Sequence, residues 1–298
     1  MENSRFNILS AIGNTPLIQI GHVYAKLESV NPSGSIKDRV ALAIVAEAEQ
    51  SGELKPGGTI VEASSGNTGI SLAMIAAVKG YRMIVVMPEN MSEERIHMMK
   101  AFGAELVLTS KSGSLSEAIE KAEEIGAQPG CFIARQFRNP ANVRAQEKTG
   151  EEILRDIGPV DAVVAGVGTG GTLMGVSNVM RRENPNVKVI AVEPEEAAVM
   201  FGGSDVRISE HKIQGIGDGF IPHIIDMDKV DEVFTSHSED AINMARRLFR
   251  EYGVLVGISS GANMLVALQV AEKYGYDKVA TVLPDRGERY LSMDLLRC

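Results

Sequence analysis

The sequence contains few of the residues on which several classes of protein depend. Its 298 residues include only two cysteines, Cys131 and Cys298, which lie far apart. Neither a disulfide framework nor a cysteine-based metal cluster is therefore expected. The five histidines are scattered, and no two have the spacing of metal ligands. We expect no metal site.

Long runs of positive charge and long apolar runs are missing as well. No basic run exceeds the pairs Arg181-Arg182 and Arg246-Arg247, and the formal net charge is −9, which argues against nucleic acid as a partner. The most apolar stretch, residues 70–87, is interrupted by Lys79 and Arg82, and the N-terminus has no apolar core. The sequence predicts neither a signal peptide nor a membrane span, and it favours a cytoplasmic protein.

What the chain does contain is a regular alternation of apolar runs with helical patterns. Six short apolar runs predict buried strands at residues 59–62, 83–87, 105–108, 162–165, 188–192 and 279–283. Helical spacing predicts helices over residues 40–50, 68–79, 92–102, 114–125, 142–156, 172–183, 238–252 and 262–273. The charged residues 93–95 predict a solvated first turn for one of them. This alternation implies an α/β fold with mostly parallel sheets, helices on both faces and ligands at the carboxyl ends of strands.

A glycine-rich loop follows one of the predicted strands. Residues 167–172, Val-Gly-Thr-Gly-Gly-Thr, connect strand 162–165 to the next predicted helix. Their N–H groups can converge on an anion with the positive end of the helix dipole behind them. No lysine follows as in a Walker loop, and the full dinucleotide fingerprint is missing. A phosphate is the expected ligand, and a simple tight turn is the alternative.

Two further stretches carry candidate chemistry. Residues 31–39, Asn-Pro-Ser-Gly-Ser-Ile-Lys-Asp-Arg, place Lys37 at the first turn of a helix, where the dipole suits a neutral amine or imine better than a cation. A surface lysine balanced by Asp38 is the alternative. Residues 62–69, Glu-Ala-Ser-Ser-Gly-Asn-Thr-Gly, form another strand-to-helix junction. Its neutral donors can bind a carboxylate, unless it is only a capped helix start.

Taken in order, these stretches resemble the cysteine synthase (O-acetylserine sulfhydrylase) family of fold-type II pyridoxal-phosphate enzymes. The similarity extends almost end to end through residues 12–17, IGNTPL, 136–142, QFRNPAN, 212–217, KIQGIG, 257–262, GISSGA, and 287–292, GERYLS. It implies a tryptophan synthase β-like fold of two three-layer lobes with mostly parallel sheets. Residues 37–143 would form a smaller, mobile lobe with the substrate loop. Residues 1–36 and 144–298 would form the larger lobe with the phosphate loop, and pyridoxal 5′-phosphate would lie in the cleft between the lobes.

The resemblance also assigns roles to individual residues. Lys37 would form the internal aldimine with the cofactor and remove the α-proton of the substrate. Asn67 would bond the phenolic oxygen of the pyridine ring, and Ser259, or its neighbour Ser260, would face the ring nitrogen. The substrate carboxylate would be held by Ser64, Ser65 and Thr68, joined by Gln136. The phosphate would be cradled by Gly168, Thr169, Gly170, Gly171 and Thr172.

The implied activity is that of a transferase of cysteine biosynthesis. O-acetyl-L-serine, or another activated serine, would exchange its β-substituent for sulfide through an aminoacrylate intermediate, giving L-cysteine. A hydroxyl at the ring nitrogen does not favour ring protonation, which favours β-elimination over transamination. The resemblance further implies a homodimer and allows binding of the C-terminal tail of serine acetyltransferase.

Departures from the family pattern leave the leaving group and the sulfur donor open. Asp218 stands where relatives often have alanine, and Asp285-Arg286-Gly287 differs from one branch of the family. The alternatives are a cystathionine β-synthase-like enzyme that uses homocysteine and a cysteine synthase that uses O-phosphoserine or a thiocarboxylate donor. O-phosphoserine would need cations such as Lys212, Arg207 or Arg286. A catalytically silent scaffold that binds serine acetyltransferase is the non-enzymatic alternative.

Overall fold

The structure is a computed structural model that describes residues 7–64, 66–89, 91–110, 115–202, 208–293 and 295. By their internal contacts, these residues divide into two units. Unit 1 consists of those within Met1–Ile12 and Lys37–Asn142, and unit 2 of those within Gly13–Ile36 and Val143–Cys298. Residues 7–12, which the sequence analysis assigned to the larger lobe, group here with unit 1.

Helices and strands alternate along the part of the chain that the structure describes. The strands are β1 (Leu17–Ile20), β2 (Val23–Leu27), β3 (Thr59–Ala63), β4 (Arg82–Pro88), β5 (Glu105–Thr109), β6 (Cys131–Ile133), β7 (Ala162–Gly166), β8 (Lys188–Pro194), β9 (Glu232–Ser236) and β10 (Val279–Leu283). The α-helices are α1 (Lys37–Ser51), α2 (Asn67–Lys79), α3 (Glu93–Ala101), α4 (Leu115–Gly126), α5 (Ala141–Ile157), α6 (Gly171–Glu183), α7 (Val199–Gly202), α8 (Ser238–Tyr252) and α9 (Ile258–Tyr274). No helix within the described ranges is long and apolar enough to cross a membrane.

Each unit is built around its own sheet. In unit 1 the order is β5-β4-β3-β6, and all neighbouring strands are parallel. In unit 2 the order is β1-β2-β10-β7-β8-β9, in which β1 alone runs antiparallel to its neighbour. The expected α/β fold with mostly parallel sheets is confirmed.

All six strands predicted from apolar runs are present, and in five of them most residues are buried; the edge strand β5 is the exception, with Glu105 and Leu108 exposed. Every residue of β3 and β10 is buried, as are six of the seven in β4. A strand buried on both sides appears in the sequence as a continuous apolar run instead of an alternating pattern. Of the four strands that were not predicted, β1, β6 and β9 lie at sheet edges and are partly exposed.

The fourth unpredicted strand, β2, is interrupted by a charge that the fold buries. Lys26 is fully buried, and its Nζ lies 3.0 Å from Glu152 Oε2 and donates to the carbonyl oxygen of Thr15 at 2.7 Å. A buried ammonium is tolerated when such partners replace its water shell. These partners come from distant parts of the sequence, so the apolar pattern of β2 is visible only after folding.

The predicted helices are also present, but two of them begin more than one residue earlier than predicted. Helix α1 begins at Lys37 instead of residue 40, and α9 begins at Ile258 instead of residue 262. In α9 the prediction was wrong because Gly261 was interpreted as part of a loop. A Cβ atom at Gly261 would lie 1.9 Å from the carbonyl oxygen of Ala241 in α8. The glycine therefore permits close helix packing, and the two serines of the motif lie in the first turn of α9.

Helices α5 and α6 approach each other closely at Gly175. A Cβ atom at Gly175 would lie 2.5 Å from the carbonyl oxygen of Val143 and 2.6 Å from Cβ of Gln146. The substitution Gly175→Ala should therefore push the helices apart and lower the free energy of unfolding by about 1–3 kcal/mol. Urea denaturation of the cofactor-free protein measures this loss.

Gly158→Ala is the matched control. Gly158 follows the last turn of α5 with φ +74° and has open space around it, so alanine there meets only the backbone penalty of about 1 kcal/mol. Equal losses for the two variants would contradict the packing argument.

Candidate functional site

The glycine loop between β7 and α6 lies in unit 2 and packs through its backbone. A Cβ atom at Gly168 would lie 2.2 Å from the carbonyl oxygen of Gly215, and one at Gly170 would lie 2.5 Å from Cγ1 of Ile225. Gly170 caps α6 in a left-handed conformation, φ 85°, and brings no side chain to the first helical turn. The N–H of Gly171 donates to Thr169 Oγ1 at 3.5 Å, and the glycine backbone at this helix N-terminus suits an anion bound by N–H groups.

Hydrogen bonds fix the strand that leads into this loop. The N–H of Gly166 donates to Asn263 Oδ1 at 2.8 Å, and Asn263 Nδ2 donates to the carbonyl oxygen of Val282 at 2.9 Å. The N–H of Gly217 donates to the carbonyl oxygen of Val167 at 3.0 Å. Asn263 thereby ties the end of β7 to α9 and β10, and residues 215–217 brace the start of the loop.

Ser259 and Ser260 lie in the first turn of α9, which begins after Gly257. A Cβ atom at Gly257 would lie 2.1 Å from Asp285 Oδ1, so this turn packs directly against the segment after β10. Ser259 is 3% exposed and Ser260 is fully buried. The Ser260 hydroxyl has no hydrogen-bond partner among the described residues. Such a buried polar atom usually marks a place for a ligand or a water molecule.

Lys37 and Asn67 are the first residues of two helices that pack together in unit 1. Lys37 is half-buried at the start of α1, and Asn67 is half-buried at the start of α2. Next to Lys37, the Asp38 carboxylate is fully buried and accepts a hydrogen bond of 2.6 Å from the Ser71 hydroxyl of α2. Asp38 is therefore part of the contact between the helices, and the surface position that the alternative interpretation of Lys37 assumed for it is wrong.

The predicted carboxylate-binding loop forms a hydrogen-bonded cluster at the N-terminus of α2. Ser64 Oγ accepts from the N–H groups of Gly66 and Gly69, at 3.3 and 3.0 Å. Thr68 Oγ1 donates to Gln136 Oε1 at 2.5 Å, and Gln136 Nε2 donates to the carbonyl oxygen of Ala63 at 3.2 Å. The fold thus brings Gln136 to the loop from a position 68 residues later than Thr68. Ser65 lies outside the described residues.

Glu62, the last residue but one of β3, joins this cluster and was not predicted as a site residue. Its side chain is 2% exposed, and its Oε2 accepts the N–H of Gln136 at 3.4 Å. Burial removes water from the carboxylate and raises the pKa of Glu62 to about 8. In the sequence, the only indication of an unusual role for Glu62 was its position as the single acid in the buried strand Thr-Ile-Val-Glu-Ala.

Arg95 also lies beside the loop and corrects the prediction for residues 93–95. Instead of belonging to a solvated first turn, Arg95 is 5% exposed and shares the buried face of α3 with Met99. Its guanidinium carbon lies 3.6 Å from the position of a Cβ atom at Gly66. The four-residue spacing of Arg95 and Met99 was the only sequence signal for this burial.

No group of three or more histidine, cysteine, aspartate or glutamate side chains suited to a metal ion occurs within the described ranges. The structure neither brings the histidines together nor links Cys131 to such a group. Cys298 lies outside the described residues.

Comparison with known proteins gives one consistent result. Residues 8–285 match the family model described as "Pyridoxal-phosphate dependent enzyme". The chain is 47% identical over 301 aligned positions to a cysteine synthase of Staphylococcus aureus strain Mu50, covering 97% of this chain and 96% of that protein.

Solved structures agree with the sequence relatives. A cysteine synthase from Entamoeba histolytica superposes with a TM-score of 0.92 at 43% identity, covering 100% of this chain and 93% of that one. An O-acetylserine-dependent cystathionine β-synthase from Helicobacter pylori superposes with a TM-score of 0.92 at 35% identity, covering 97% of this chain and 98% of that one.

The Ser64 hydroxyl should contribute to stability as the acceptor for the first turn of α2. Ser64→Ala removes the acceptor of the Gly66 and Gly69 N–H groups and should lower the free energy of unfolding by about 1 kcal/mol. Ser64→Thr keeps the oxygen and should restore most of this loss. Denaturation of the three proteins without ligands measures the effect, and equal losses in both variants would refute the capping role.

Proposed function

The chain belongs to the cysteine synthase family of pyridoxal-phosphate-dependent enzymes, and on this premise we propose that it makes L-cysteine from O-acetyl-L-serine and sulfide. The observation that carries the choice of an amino-acid substrate is the cluster of Ser64, Thr68 and Gln136 at the N-terminus of α2. Neutral donors beside the positive end of a helix suit a carboxylate.

The residues of both units fit the cofactor of this family. In unit 2, the backbone-lined loop from Gly168 to Thr172 suits a phosphate, and the buried Ser260 hydroxyl is a polar atom that a ligand would satisfy. We propose that this loop holds the phosphate and that Ser259, with Ser260 as the alternative, faces the ring nitrogen. We propose further that Lys37 carries the cofactor and that Asn67 bonds its phenolic oxygen.

The reaction exchanges one bond at the β-carbon of the substrate. The bond from Cβ to the ester oxygen breaks, acetate leaves with the electron pair, and a bond from Cβ to sulfur replaces it, so no oxidant or reductant is needed. When bound, pyridoxal phosphate supplies an electron sink for the electrons of the Cα–H bond. The Lys37 amine accepts the Cα proton and later returns it to the same carbon. Ser64, Thr68 and Gln136 hold the carboxylate during both steps.

The two described cations that the sequence suggested for a phosphate, Arg286 and Lys212, do not support O-phosphoserine as the donor. Arg286 Nε donates to the carbonyl oxygen of Ser29 at 2.7 Å, and its Cδ lies 3.0 Å from the position of a Cβ atom at Gly34, so it serves to hold residues 29–34. Lys212 Nζ pairs with Glu239 Oε1 at 2.6 Å on the surface. Arg207 lies outside the described residues. The proposed donor therefore carries an uncharged acetoxy group, which leaves as acetate.

Cystathionine synthesis is the second candidate, because a neighbour with a TM-score of 0.92 is named as an O-acetylserine-dependent cystathionine β-synthase. That enzyme shares the donor that we propose and differs in the sulfur nucleophile. The homodimer, the binding of the serine acetyltransferase tail and the cytoplasmic location stay predictions from the resemblance. A scaffold without catalysis is disfavoured by the presence of Lys37 and an unobstructed glycine loop.

The substrates can be tested by product analysis of the purified enzyme loaded with pyridoxal phosphate. O-acetylserine with sulfide should give cysteine and acetate at least tenfold faster than O-phosphoserine with sulfide, because Arg286 and Lys212 are engaged with Ser29 and Glu239. O-acetylserine with homocysteine is the competing reaction. Faster formation of cystathionine than of cysteine would establish the second candidate and overturn the first.

The role of Lys37 can be tested with its alanine variant. The native enzyme should be yellow, and borohydride reduction followed by digestion and mass spectrometry should find the cofactor on the peptide that contains Lys37. Lys37→Ala should lose this adduct and lower turnover by at least about a thousandfold, since the attachment point and the proton acceptor are removed together. Lys229→Ala is the control, because Lys229 is an exposed lysine paired with Asp226. An adduct on another lysine would disprove the assignment.

A further inference from the structure

We propose that Glu62 is a positioning residue that holds Gln136 against the substrate loop while its carboxyl is neutral and weakens substrate binding when the carboxyl becomes charged. This inference rests on the proposed function, since it concerns the affinity of the same loop for the carboxylate of an amino-acid substrate. Glu62 itself is not placed in contact with the substrate.

The geometry connects Glu62 to the loop through Gln136. The Glu62 carboxyl accepts the main-chain N–H of Gln136, whose side-chain amide bridges the carbonyl oxygen of Ala63 and the hydroxyl of Thr68. Asn142 Nδ2 holds the carbonyl oxygen of Gln136 at 2.9 Å. The main chain of Gln136 is thus fixed by Glu62 and Asn142, and its side chain is fixed by the loop. A change at Glu62 is transmitted to the loop by a short and buried path.

Burial decides the charge of Glu62. Desolvation is the largest influence and raises its pKa to about 8, whereas the hydrogen bonds from Gln136 and the main chain of Arg135 act in the opposite direction. The charged groups that act on Glu62 from the packed elements are Glu123 of α4, which raises the pKa further, and Arg135. These two pair with each other through bonds of 2.7 and 2.6 Å. Glu62 is therefore largely neutral at pH 7.

Ionisation places a negative charge beneath a loop that must hold a negative carboxylate. Little water is present to screen the two charges, because Glu62 is 2% exposed, Thr68 is 2% exposed and Gln136 is 6% exposed. The repulsion acts on substrate binding and leaves the reacting atoms at Cα and Cβ untouched. Alkaline pH should consequently raise KM more than it lowers kcat.

The experiment compares native enzyme with Glu62→Gln across the range from about pH 6 to 9. The KM of the native enzyme for O-acetylserine should rise several-fold through about pH 8, whereas the KM of Glu62→Gln should lack this step. The titration of the substrate amine affects both proteins equally and cancels in the ratio. Parallel KM profiles in two active proteins would overturn the role of Glu62, whereas a native enzyme that does not use O-acetylserine would instead contradict the proposed function.

Glu123→Gln gives a second and independent test, because Glu123 lies at the surface, where glutamine should be accommodated. The substitution removes a negative charge near Glu62 and leaves the positive charge of Arg135 without its Glu123 partner. Each of these two effects lowers the pKa of Glu62. The step in KM should move to lower pH, and a step that moved to higher pH would overturn the proposal even if Glu62→Gln fails to fold.

Stability without the cofactor gives a readout that does not depend on turnover. The pKa of Glu62 is raised in the folded state from 4.5 to about 8, so the folded protein binds its proton more tightly than the unfolded chain does. Between these pH values, the melting temperature of the native protein should fall relative to that of Glu62→Gln as pH rises. A constant difference would show that Glu62 does not titrate in this range and would overturn the proposal.

Discussion

The glycine loop of unit 2 depends on the contact between its backbone and the carbonyl oxygen of Gly215. Because a Cβ atom at residue 168 would approach this oxygen to 2.2 Å, any side chain there would displace one of the two segments. The hydrogen bond from Gly217 to Val167 holds the segments at this separation. The concentration of glycine thus reflects a steric requirement for two backbones in contact. One consequence is that Gly170, the N-cap of α6, brings no side chain to the N-terminus of the helix.

For unit 1 we propose a different requirement, namely that its loop offers hydrogen bonds to a carboxylate through neutral groups. The hydroxyls and the amide of its loop already bind one another, so their orientations are set before a ligand arrives. Preorganised neutral donors need little rearrangement on binding. Two opposing effects act on the pKa of the buried Glu62. Desolvation raises this pKa by more than the hydrogen bonds from Gln136 and Arg135 lower it. Glu62 therefore adds little negative charge to the cluster at physiological pH.

The charged segment after β10 supports the residues that precede Lys37. Arg286 and Arg289 donate to the carbonyl oxygens of Ser29 and Ser33, and the N–H of Ile36 donates to Pro284. The Tyr290 hydroxyl donates to Asp285 Oδ2 at 2.8 Å. The main chain of residues 29–36, which precedes Lys37, is therefore held by hydrogen bonds to the segment after β10. The charged triplet Asp285-Arg286-Gly287, which in the sequence indicates a change of specificity, acts in the structure as a brace for these residues.

The sequence by itself determined the α/β class, six of the strands, the helices and the four loops that resemble the cysteine synthase family. These features are local, because strands buried on both faces and capped helices leave patterns within ten to twenty consecutive residues. The lysine at the start of α1 and the glycine loop before α6 were predictable for the same reason.

Only the tertiary structure decided which polar groups would be buried together. Strand β2 was missed because Lys26 is neutralised by residues more than 120 positions away in α5. Arg95 was predicted to lie in a solvated helical turn and Glu62 was not predicted as a site residue, and the burial of both side chains follows from the helices and strands that surround them. Gln136 approaches Thr68 only when β6 pairs with β3. Apolar side chains that will be buried can be predicted from periodicity within a short stretch of sequence. The pairing of buried polar groups cannot, because the partners are far apart in the sequence.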